Sequence, residues 1–280
     1  MKGLKKLLLV AVIAVMAILP VAFVGCGNKV GKTVAFKAED LSLESYGIAC
    51  QKGDTATLTA LNAVLADFTK KDETGVSKLD NSKLFHFNGD ASKKVALPDL
   101  SAYKDSAKKV VIYTESTFAP YEYMGSDNNV CGIDIDIAYF LADSLKCKLE
   151  ISDIAFDSII PSVLKADLSK VHAIGAAGMS ITEERKAQVD FSVEYSTAQQ
   201  YIISAEKNAY KTIASLKGLT VAVQESTTGH FSCEDMGVDS IKAFKKTTDC
   251  YMALKNGTVD AVVIDSFPAQ KLIEKDKDNK

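Results

Sequence analysis

The alternation of strand-like and helix-like segments is the feature that most constrains the fold of this chain. Short apolar runs predict strands, and apolar residues at helical spacing lie between most of them. The predicted strands are 110–115, 149–154, 171–176, 219–223 and 259–264. Strands that alternate with helices form α/β sheets with parallel strands. The sequence therefore predicts an α/β fold of two lobes, with a crossover through the extended stretch 191–205.

The part of the chain before residue 110 has a pattern of its own. Residues 46–50 predict a strand, and the Lys-Gly-Asp sequence at 52–54 predicts a turn after it. A helix follows, because Leu58, Leu61, Leu65 and Phe68 fall on one helical face. Residues 86–108 are rich in Asn, Gly, Asp, Ser and Lys and predict a linker.

The amino terminus predicts a targeting segment. Three lysines within the first six residues precede an uncharged apolar run, 7–24, which ends at Gly25-Cys26. This pattern is similar to a bacterial lipoprotein signal peptide over residues 1–25, with Cys26 as the lipidated residue. A transmembrane anchor is the alternative, since the run is long enough to span a bilayer. Both interpretations place the remaining chain outside the cytoplasmic membrane.

Composition excludes several classes of partner. The chain has 280 residues, 33 Lys and Arg against 36 Asp and Glu, and a net charge of −3. Binding to nucleic acid needs clustered Lys and Arg, so none is predicted as a partner. The six cysteines and three histidines show no spacing typical of a metal site. We predict no metal and no cofactor, and a monomeric protein.

Arg185 is a candidate anion-binding residue. It follows the strand 171–176 closely, in the first turns of a predicted helix. Ligands gather at the carboxyl ends of strands in open α/β sheets, and a guanidinium can grip a carboxylate with two parallel hydrogen bonds. Ser180 could donate to the same anion. The alternative is a surface arginine paired with Glu184 or Asp190.

Further polar residues follow the strands of the second series. Thr228 and Gly229 open a helix, where backbone N–H groups favour an anion. Asp265 ends a strand and could pair with an ammonium group, or could simply cap the next helix. Phe118 and Phe156 each follow a strand and could form a pocket wall, although an isolated Phe is more often part of a core.

Eight motifs together resemble one known family. They are F-A-P-Y-E-Y (118–123), G-I-D-I-D-I-A (132–138), F-D-S-I-I-P (156–161), A-G-M-S-I-T-E-E-R (177–185), V-D-F-S (189–192), L-K-G-L-T-V-A-V (216–223), S-T-T-G (226–229) and D-A-V-V-I-D (260–265). In this order they are similar to the family 3 extracellular solute-binding proteins, the polar amino-acid receptors of ABC importers. The resemblance covers about residues 110–275. It implies a two-lobed periplasmic-binding-protein type II fold that closes about hinge strands.

The resemblance also implies which residues hold the ligand. Arg185 would clamp the ligand carboxylate, with help from Thr228 and the backbone of Gly229. Phe118 and Phe156 would sandwich the ligand side chain.

The ammonium end of the ligand would be held by a second group of residues. Asp265 would take the ammonium, together with the carbonyl of Gly178 and the hydroxyl of Ser180. Glu115 falls where some members place a carboxylate near the ligand side chain. An unpaired buried carboxylate is costly, so we expect a basic or amide amino acid.

The order of the segments departs from the family. A strand of the form Y-G-I-A and an amphipathic helix normally follow the last motif, whereas here they stand at 46–68. The sequence therefore predicts a circularly permuted order, and a fragment of a tandem fusion is the alternative. Lobe 1 is predicted at 47–192, including the linker 86–108, and lobe 2 at 193–280 plus 34–46. Residues 46–50 should then pair into the sheet that contains 110–115, or into the extension of that sheet between the lobes.

The predicted function is that of an extracytoplasmic substrate-binding lipoprotein of an ABC importer, which is not an enzyme. Its predicted partners are a small amino acid, the importer's permease and the membrane that holds the lipid anchor. Two alternatives use the same scaffold: a ligand-sensing receptor domain, and a dehydratase with Glu115 or Glu225 as its general acid.

Overall fold

The computed structural model of the chain describes residues 30–278. The predicted signal peptide and Cys26 lie outside these residues. Within them, no helix is both long and apolar enough to span a bilayer. The helices are α1 (Thr55–Thr69), α2 (Lys78–Asn88), α3 (Ile133–Ser144), α4 (Ile159–Lys165), α5 (Glu183–Lys186), α6 (Thr228–Asp235), α7 (Thr247–Lys255) and α8 (Ser266–Asp278).

The strands, in chain order, are β1 (Thr33–Lys37), β2 (Glu44–Tyr46), β3 (Ala49–Gln51), β4 (Lys109–Thr114), β5 (Thr117–Phe118), β6 (Glu122–Met124), β7 (Val130–Cys131), β8 (Lys148–Asp153), β9 (Val171–Gly175), β10 (Val189–Phe191), β11 (Ser196–Ala198), β12 (Gln200–Ala205), β13 (Thr220–Gln224), β14 (Ser240–Phe244) and β15 (Ala261–Asp265). Most of them form two five-stranded sheets. Sheet I has the order β10-β3-β9-β4-β8, and sheet II has the order β1-β12-β15-β13-β14.

Each sheet combines parallel and antiparallel strands. In sheet I, β4 runs parallel to β8 and β9, and in sheet II, β13 runs parallel to β14 and β15. The strands β3 and β10 in sheet I, and β1 and β12 in sheet II, pair antiparallel. The predicted strands that correspond to β4, β8, β9, β13 and β15 are therefore parallel within each sheet, as expected, whereas β1, β3, β10 and β12 form antiparallel pairs. The chain reaches both β3 and β12 from the opposite sheet.

A short antiparallel ribbon joins the two sheets. It consists of β2 and β11, in which Ser196 pairs with Tyr46 and Ala198 pairs with Glu44. The chain passes from sheet II to sheet I through β2, and returns from sheet I to sheet II through β11. Both crossings within residues 30–278 therefore lie side by side and are hydrogen-bonded to each other.

The part of the chain from β3 through α1 packs into sheet I. In β3, Ala49 pairs with Gly175 and Cys50 pairs with Ile174, so β3 joins the sheet that contains β4. On α1, which Asp54 caps at its N-terminus, Leu61, Leu65 and Phe68 are buried in the core that includes Val110 and Ile112, and Leu58 is half-buried. The predicted pairing and the packing of this helix are thus confirmed, whereas the permuted order itself stays a prediction.

Two of the predicted boundaries are wrong. The strand predicted at 46–50 is divided between β2 and β3 at Gly47, where an added Cβ would lie 2.8 Å from Ile181 Cδ1. The linker predicted from residue 86 begins inside α2, which starts with a capping box formed by Ser77 and Asp80. His86 is buried, and its Nε2 lies 3.0 Å from Asp136 Oδ2 on α3. The second half of α2 therefore belongs to the folded body.

Candidate ligand-binding site

Polar side chains from both sheets surround one small cavity. Arg185 and Ser180 follow β9 of sheet I, while Thr228 and Asp265 stand at the carboxyl ends of β13 and β15 of sheet II. Carboxyl ends of strands are the usual ligand sites of open α/β sheets. The cavity has a volume of about 10 Å³ and is lined by Phe118, Phe156, Ala177, Gly178, Ser180, Arg185, Gln224, Thr227, Thr228 and Asp265.

Arg185 is the buried cation of this site. Its backbone N–H donates to the side chain of Thr182, which caps the short helix α5. The side chain is 8% exposed, and its Nη1 and Nη2 donate to the carbonyl oxygens of Ser180 and Ser226 at 2.7 Å and 3.1 Å. The guanidinium carbon lies 5.3 Å from the ring centroid of Phe156, a cation–π distance. These contacts fix the guanidinium between the loops of the two sheets.

Asp265 contributes a buried carboxyl group to the same cavity. It is the last residue of β15, is 7% exposed, and accepts a hydrogen bond of 3.0 Å from Nε2 of Gln200 on β12. Burial, followed by the nearby charge of Glu44, raises the pKa of the Asp265 carboxyl to about 7. Asp265 also directly precedes α8, so its alternative role as the cap of that helix stays a prediction.

Gly178 shapes the wall between these two charges. Its φ angle is +51°, and a Cβ would lie 2.5 Å from Cε1 of Phe118, so both backbone conformation and space require glycine here. Its backbone N–H donates to Asp134 Oδ2 at 3.0 Å, and Asp134 also accepts a hydrogen bond of 2.6 Å from the hydroxyl of Tyr195. Buried groups thus hold in place the peptide unit between Ala177 and Gly178, directly before the Gly178 carbonyl.

The start of α6 forms another part of the wall. Thr227 caps this helix by accepting from the backbone N–H of His230. The hydroxyl of Thr228 donates to Glu44 Oε2 at 2.7 Å. A Cβ on Gly229 would lie 2.8 Å from Gln200 Oε1, so Gly229 allows the helix to approach β12 closely. Backbone N–H groups at this helix start favour an anion.

Direct contacts between the loops of the two sheets close the cavity. Gln224 Nε2 donates to Glu115 Oε2 at 3.0 Å, and the Thr247 hydroxyl donates to the Thr117 carbonyl at 2.6 Å. Lys245 Nζ lies 2.7 Å from Asp157 Oδ2. In each pair one residue comes from the sheet I side and the other from the sheet II side.

Comparison with known proteins identifies the family. A family model described as bacterial extracellular solute-binding proteins, family 3, matches residues 110–260. The chain belongs to this family. The predicted fold class, a two-lobed α/β fold of the type II periplasmic-binding kind, is therefore confirmed.

Two curated relatives are named as binding proteins for single amino acids. ABC transporter arginine-binding protein 1 of Escherichia coli (strain K12) is 32% identical over 58% of this chain and 65% of its own length. The glutamine-binding protein GlnH of Bacillus subtilis (strain 168) is 32% identical over 64% of this chain and 66% of its own length. The chain spans just under two thirds of each of these relatives.

Two solved structures extend the comparison. Holo ArgBP from T. maritima is 36% identical with a TM-score of 0.58, and the match covers 62% of this chain and 76% of that one. The ancestral amino acid-binding protein AncCDT-1, a precursor of cyclohexadienyl dehydratase, is 31% identical with a TM-score of 0.54, over 60% of this chain and 74% of that one. Both solved proteins are thus similar to this chain in sequence and in fold.

Most of the residues that the family resemblance assigned to a ligand lie together. Arg185, Asp265, Ser180, Gly178, Thr228, Phe118 and Phe156 all line the cavity. Gly229 stands one residue further along α6. Glu115 does not line the cavity; it is buried beneath Gln224, and its Oε2 also accepts from the Thr117 hydroxyl at 2.7 Å.

Three polar residues of the site were missed by sequence reasoning. Gln224 lines the cavity, while Glu44 and Gln200 stand directly behind it. Gln224 could have been found, because it ends a predicted strand as Asp265 does. The sequence around Glu44 and Gln200 has no pattern that indicates a binding site. Glu44 reaches the site from β2 of the ribbon, and Gln200 reaches it from β12.

Proposed function

We propose that this chain is the extracytoplasmic substrate-binding lipoprotein of an ABC importer, and that it captures a cationic or amide amino acid between its two lobes. One observation carries the proposal. Arg185 from the sheet I side and Asp265 from the sheet II side are both buried and line the same cavity. A cation and an anion so placed match the carboxylate and the ammonium of one amino acid, which would bind both lobes at once.

Arg185 would hold the ligand carboxylate. A guanidinium has five N–H donors, and the carbonyls of Ser180 and Ser226 occupy one each on Nη1 and Nη2. The remaining donors allow a two-pronged contact with a carboxylate. The helix start at Gly229 would add backbone donors on the sheet II side.

The charges around the cavity support a cationic or amide side chain. Glu44, Asp265 and Glu115 contribute carboxyl groups, and Arg185 is the cation among them. Burial raises the pKa of Glu115, so its charge is poorly solvated. A ligand side chain that brings positive charge or N–H donors would offset the free-energy cost of burying the Glu115 charge. Arginine and glutamine, named for the relatives, both fit this requirement.

Entry of the ligand would require the lobes to separate. A cavity of about 10 Å³ holds about one water molecule and is far too small for an amino acid. Both crossings within the described residues belong to the β2–β11 ribbon, so we propose that bending there opens the site. The contacts between Gln224 and Glu115 and between Lys245 and Asp157 would break on opening.

Lipidation of Cys26 would hold the protein at the outer face of the membrane as a monomer, beside the importer's permease. A sensing role would use the same ligand site. The dehydratase alternative is less well supported, because Glu115 is buried behind Gln224 and Glu225 lies 2.6 Å from Lys245 in an ion pair. Neither carboxyl group is presented to the cavity as a general acid.

A thermal-shift screen of the twenty amino acids tests the proposed ligand class. A ligand at about a hundred times its Kd should raise the melting temperature by roughly 5–10 °C. We expect the largest shifts with arginine, lysine, histidine or glutamine. A largest shift with glutamate or aspartate would contradict the ligand class, and no shift with any amino acid would contradict the function.

We further propose that the chain order is circularly permuted within the family. The family match begins at residue 110, yet β1 belongs to sheet II, and β3 with α1 belongs to the body of sheet I. Residues ahead of the match therefore supply strands to both sheets. A tandem-fusion fragment would be expected to fold its first part apart from the second.

A reordered chain tests the permutation. The reordered protein would start at Lys109, run to residue 278 and continue through a short Gly/Ser linker into residues 30–88. We expect it to fold and to bind the same ligand. The packing of α8 against β1 in sheet II keeps the new junction within one lobe. Circular dichroism and calorimetry would measure this, with the natural order as control. A reordered chain that does not fold would argue for a fixed natural order.

A further inference from the structure

Glu44 forms a bridge behind the cavity that joins both lobes. It lies on β2 of the ribbon, and its Oε2 accepts hydrogen bonds from the hydroxyls of Ser180 and Thr228. Ser180 follows β9 of sheet I, whereas Thr228 begins α6 after β13 of sheet II. A single carboxylate oxygen therefore contacts both sides of the site. These two contacts can exist together only when the lobes are closed.

The bridge fixes the direction of two hydroxyl groups. Each hydroxyl has one proton to donate, and Ser180 and Thr228 both give theirs to Glu44. Toward a ligand they can then act only as hydrogen-bond acceptors. Acceptors suit an ammonium or guanidinium group and offer nothing to a carboxylate. The Thr228 hydroxyl is therefore not free to donate to the ligand carboxylate, which was its expected role.

Gln200 couples Glu44 to Asp265. Its Nε2 lies 3.0 Å from Glu44 Oε1 and also 3.0 Å from Asp265 Oδ1. One amide group therefore links two carboxylates in a site whose buried cation is Arg185. A zwitterionic ligand leaves this surplus of negative charge unchanged, and a ligand with net positive charge reduces it.

We propose that Glu44 is a specificity-determining residue of the amino-acid site, which orients Ser180 and Thr228 as acceptors and supplies the extra negative charge that favours ligands with net positive charge. The inference rests on the proposed binding of an amino acid. The ribbon would then contribute to ligand specificity as well as acting as a hinge.

The charge of Glu44 also affects the titration of Asp265. The titratable groups that interact with Asp265 are Glu44 and Tyr46 of β2, Arg185 of α5, and Tyr121 and Glu122 at β6. Among them, Glu44 makes the largest contribution after burial to the raised pKa of Asp265. Removing the Glu44 charge should therefore lower the pKa of Asp265, so that ligand binding persists to lower pH.

The Glu44→Gln variant tests the proposal, with L-arginine and L-glutamine as calorimetric probes. The amide keeps an acceptor for the two hydroxyls and removes the charge. We expect arginine affinity to fall about tenfold, the size of a charge–charge interaction across partly wet protein. Glutamine affinity should change by no more than about threefold. The acid limb of the affinity–pH profile should also move to lower pH, which a purely structural effect would not produce.

Glu194→Gln is the matched control. Glu194 is an exposed carboxylate beside the ribbon that accepts a hydrogen bond of 2.5 Å from Ser45, and its removal should alter neither affinity. Equal losses for both probes in Glu44→Gln, or no loss for either, would overturn the proposal while leaving amino-acid binding intact. Wild-type protein that binds neither probe would instead reject the proposed function, and the role of Glu44 with it.

Discussion

Replacing Arg185 by alanine is expected to abolish amino-acid binding while the protein remains folded. Arg185 is buried and would face the ligand carboxylate across the cavity. Removing one partner of a desolvated charge pair costs about 3–5 kcal/mol, which is at least about a hundredfold in affinity. Arg185→Lys should lose a large part of this affinity too, because an ammonium cannot form the two-pronged contact. Calorimetry measures both variants.

A matched control is available on the same short helix. Lys186 follows Arg185 on α5, but it is exposed and pairs with Glu183 at 2.9 Å. Lys186→Ala should therefore bind as the natural protein does, and melting curves would establish that all the variants fold. Micromolar binding by Arg185→Ala would remove Arg185 from the site.

Replacing Asp265 by asparagine is expected to weaken binding by about a hundredfold and to remove most of its pH dependence. In the natural protein the charged carboxylate is the form that binds an ammonium. Because the pKa of Asp265 is raised to about 7, an increasing fraction is protonated as the pH falls below that value. Affinity should then decrease by about tenfold per pH unit below 7 and level off above it.

Asp260→Asn provides the control at the other end of the same strand. Asp260 precedes β15, is exposed, and accepts from the backbone N–H of Thr220 at 2.9 Å. Its replacement should leave both the affinity and its pH profile unchanged. A flat profile between pH 5 and 8 in the natural protein, or tighter binding in acid, would show that Asp265 does not hold the ligand ammonium.

The sequence predicts those parts of the fold that have strong local patterns. The strands β4, β9, β13 and β15 are predicted to within one or two residues, because buried strands are nearly continuous in apolar residues. The edge strand β8 is predicted as closely, because Leu149 and Ile151 alternate with polar residues. The edge strand β14 was missed, since its sequence Ser-Ile-Lys-Ala-Phe is partly exposed and has no apolar run. Helix α2 was missed because its amphipathic pattern is weak, and its position depends on contacts such as the one from His86 to Asp136.

The candidate site divides in the same way. Arg185 and Asp265 are candidates because each follows a strand whose end is visible in the sequence, and the family resemblance favours them over the alternatives. Glu44 could not, since its partners Ser180 and Thr228 are far away along the chain. Local composition contains no information on such distant contacts. The placement of Glu115 behind Gln224 likewise depends on how closely the two lobes meet.

The strand order of the two sheets has a consequence for the protein as it is synthesised. Every strand of sheet I lies between Ala49 and Phe191, so this lobe is complete in a nascent chain that has only begun the other. Sheet II is split: β1 emerges early but must wait for its neighbour β12. Domains generally fold as units during translation, so the lobe of sheet I should form first. β1 can pair only after β12 has emerged, so sheet II is completed after sheet I.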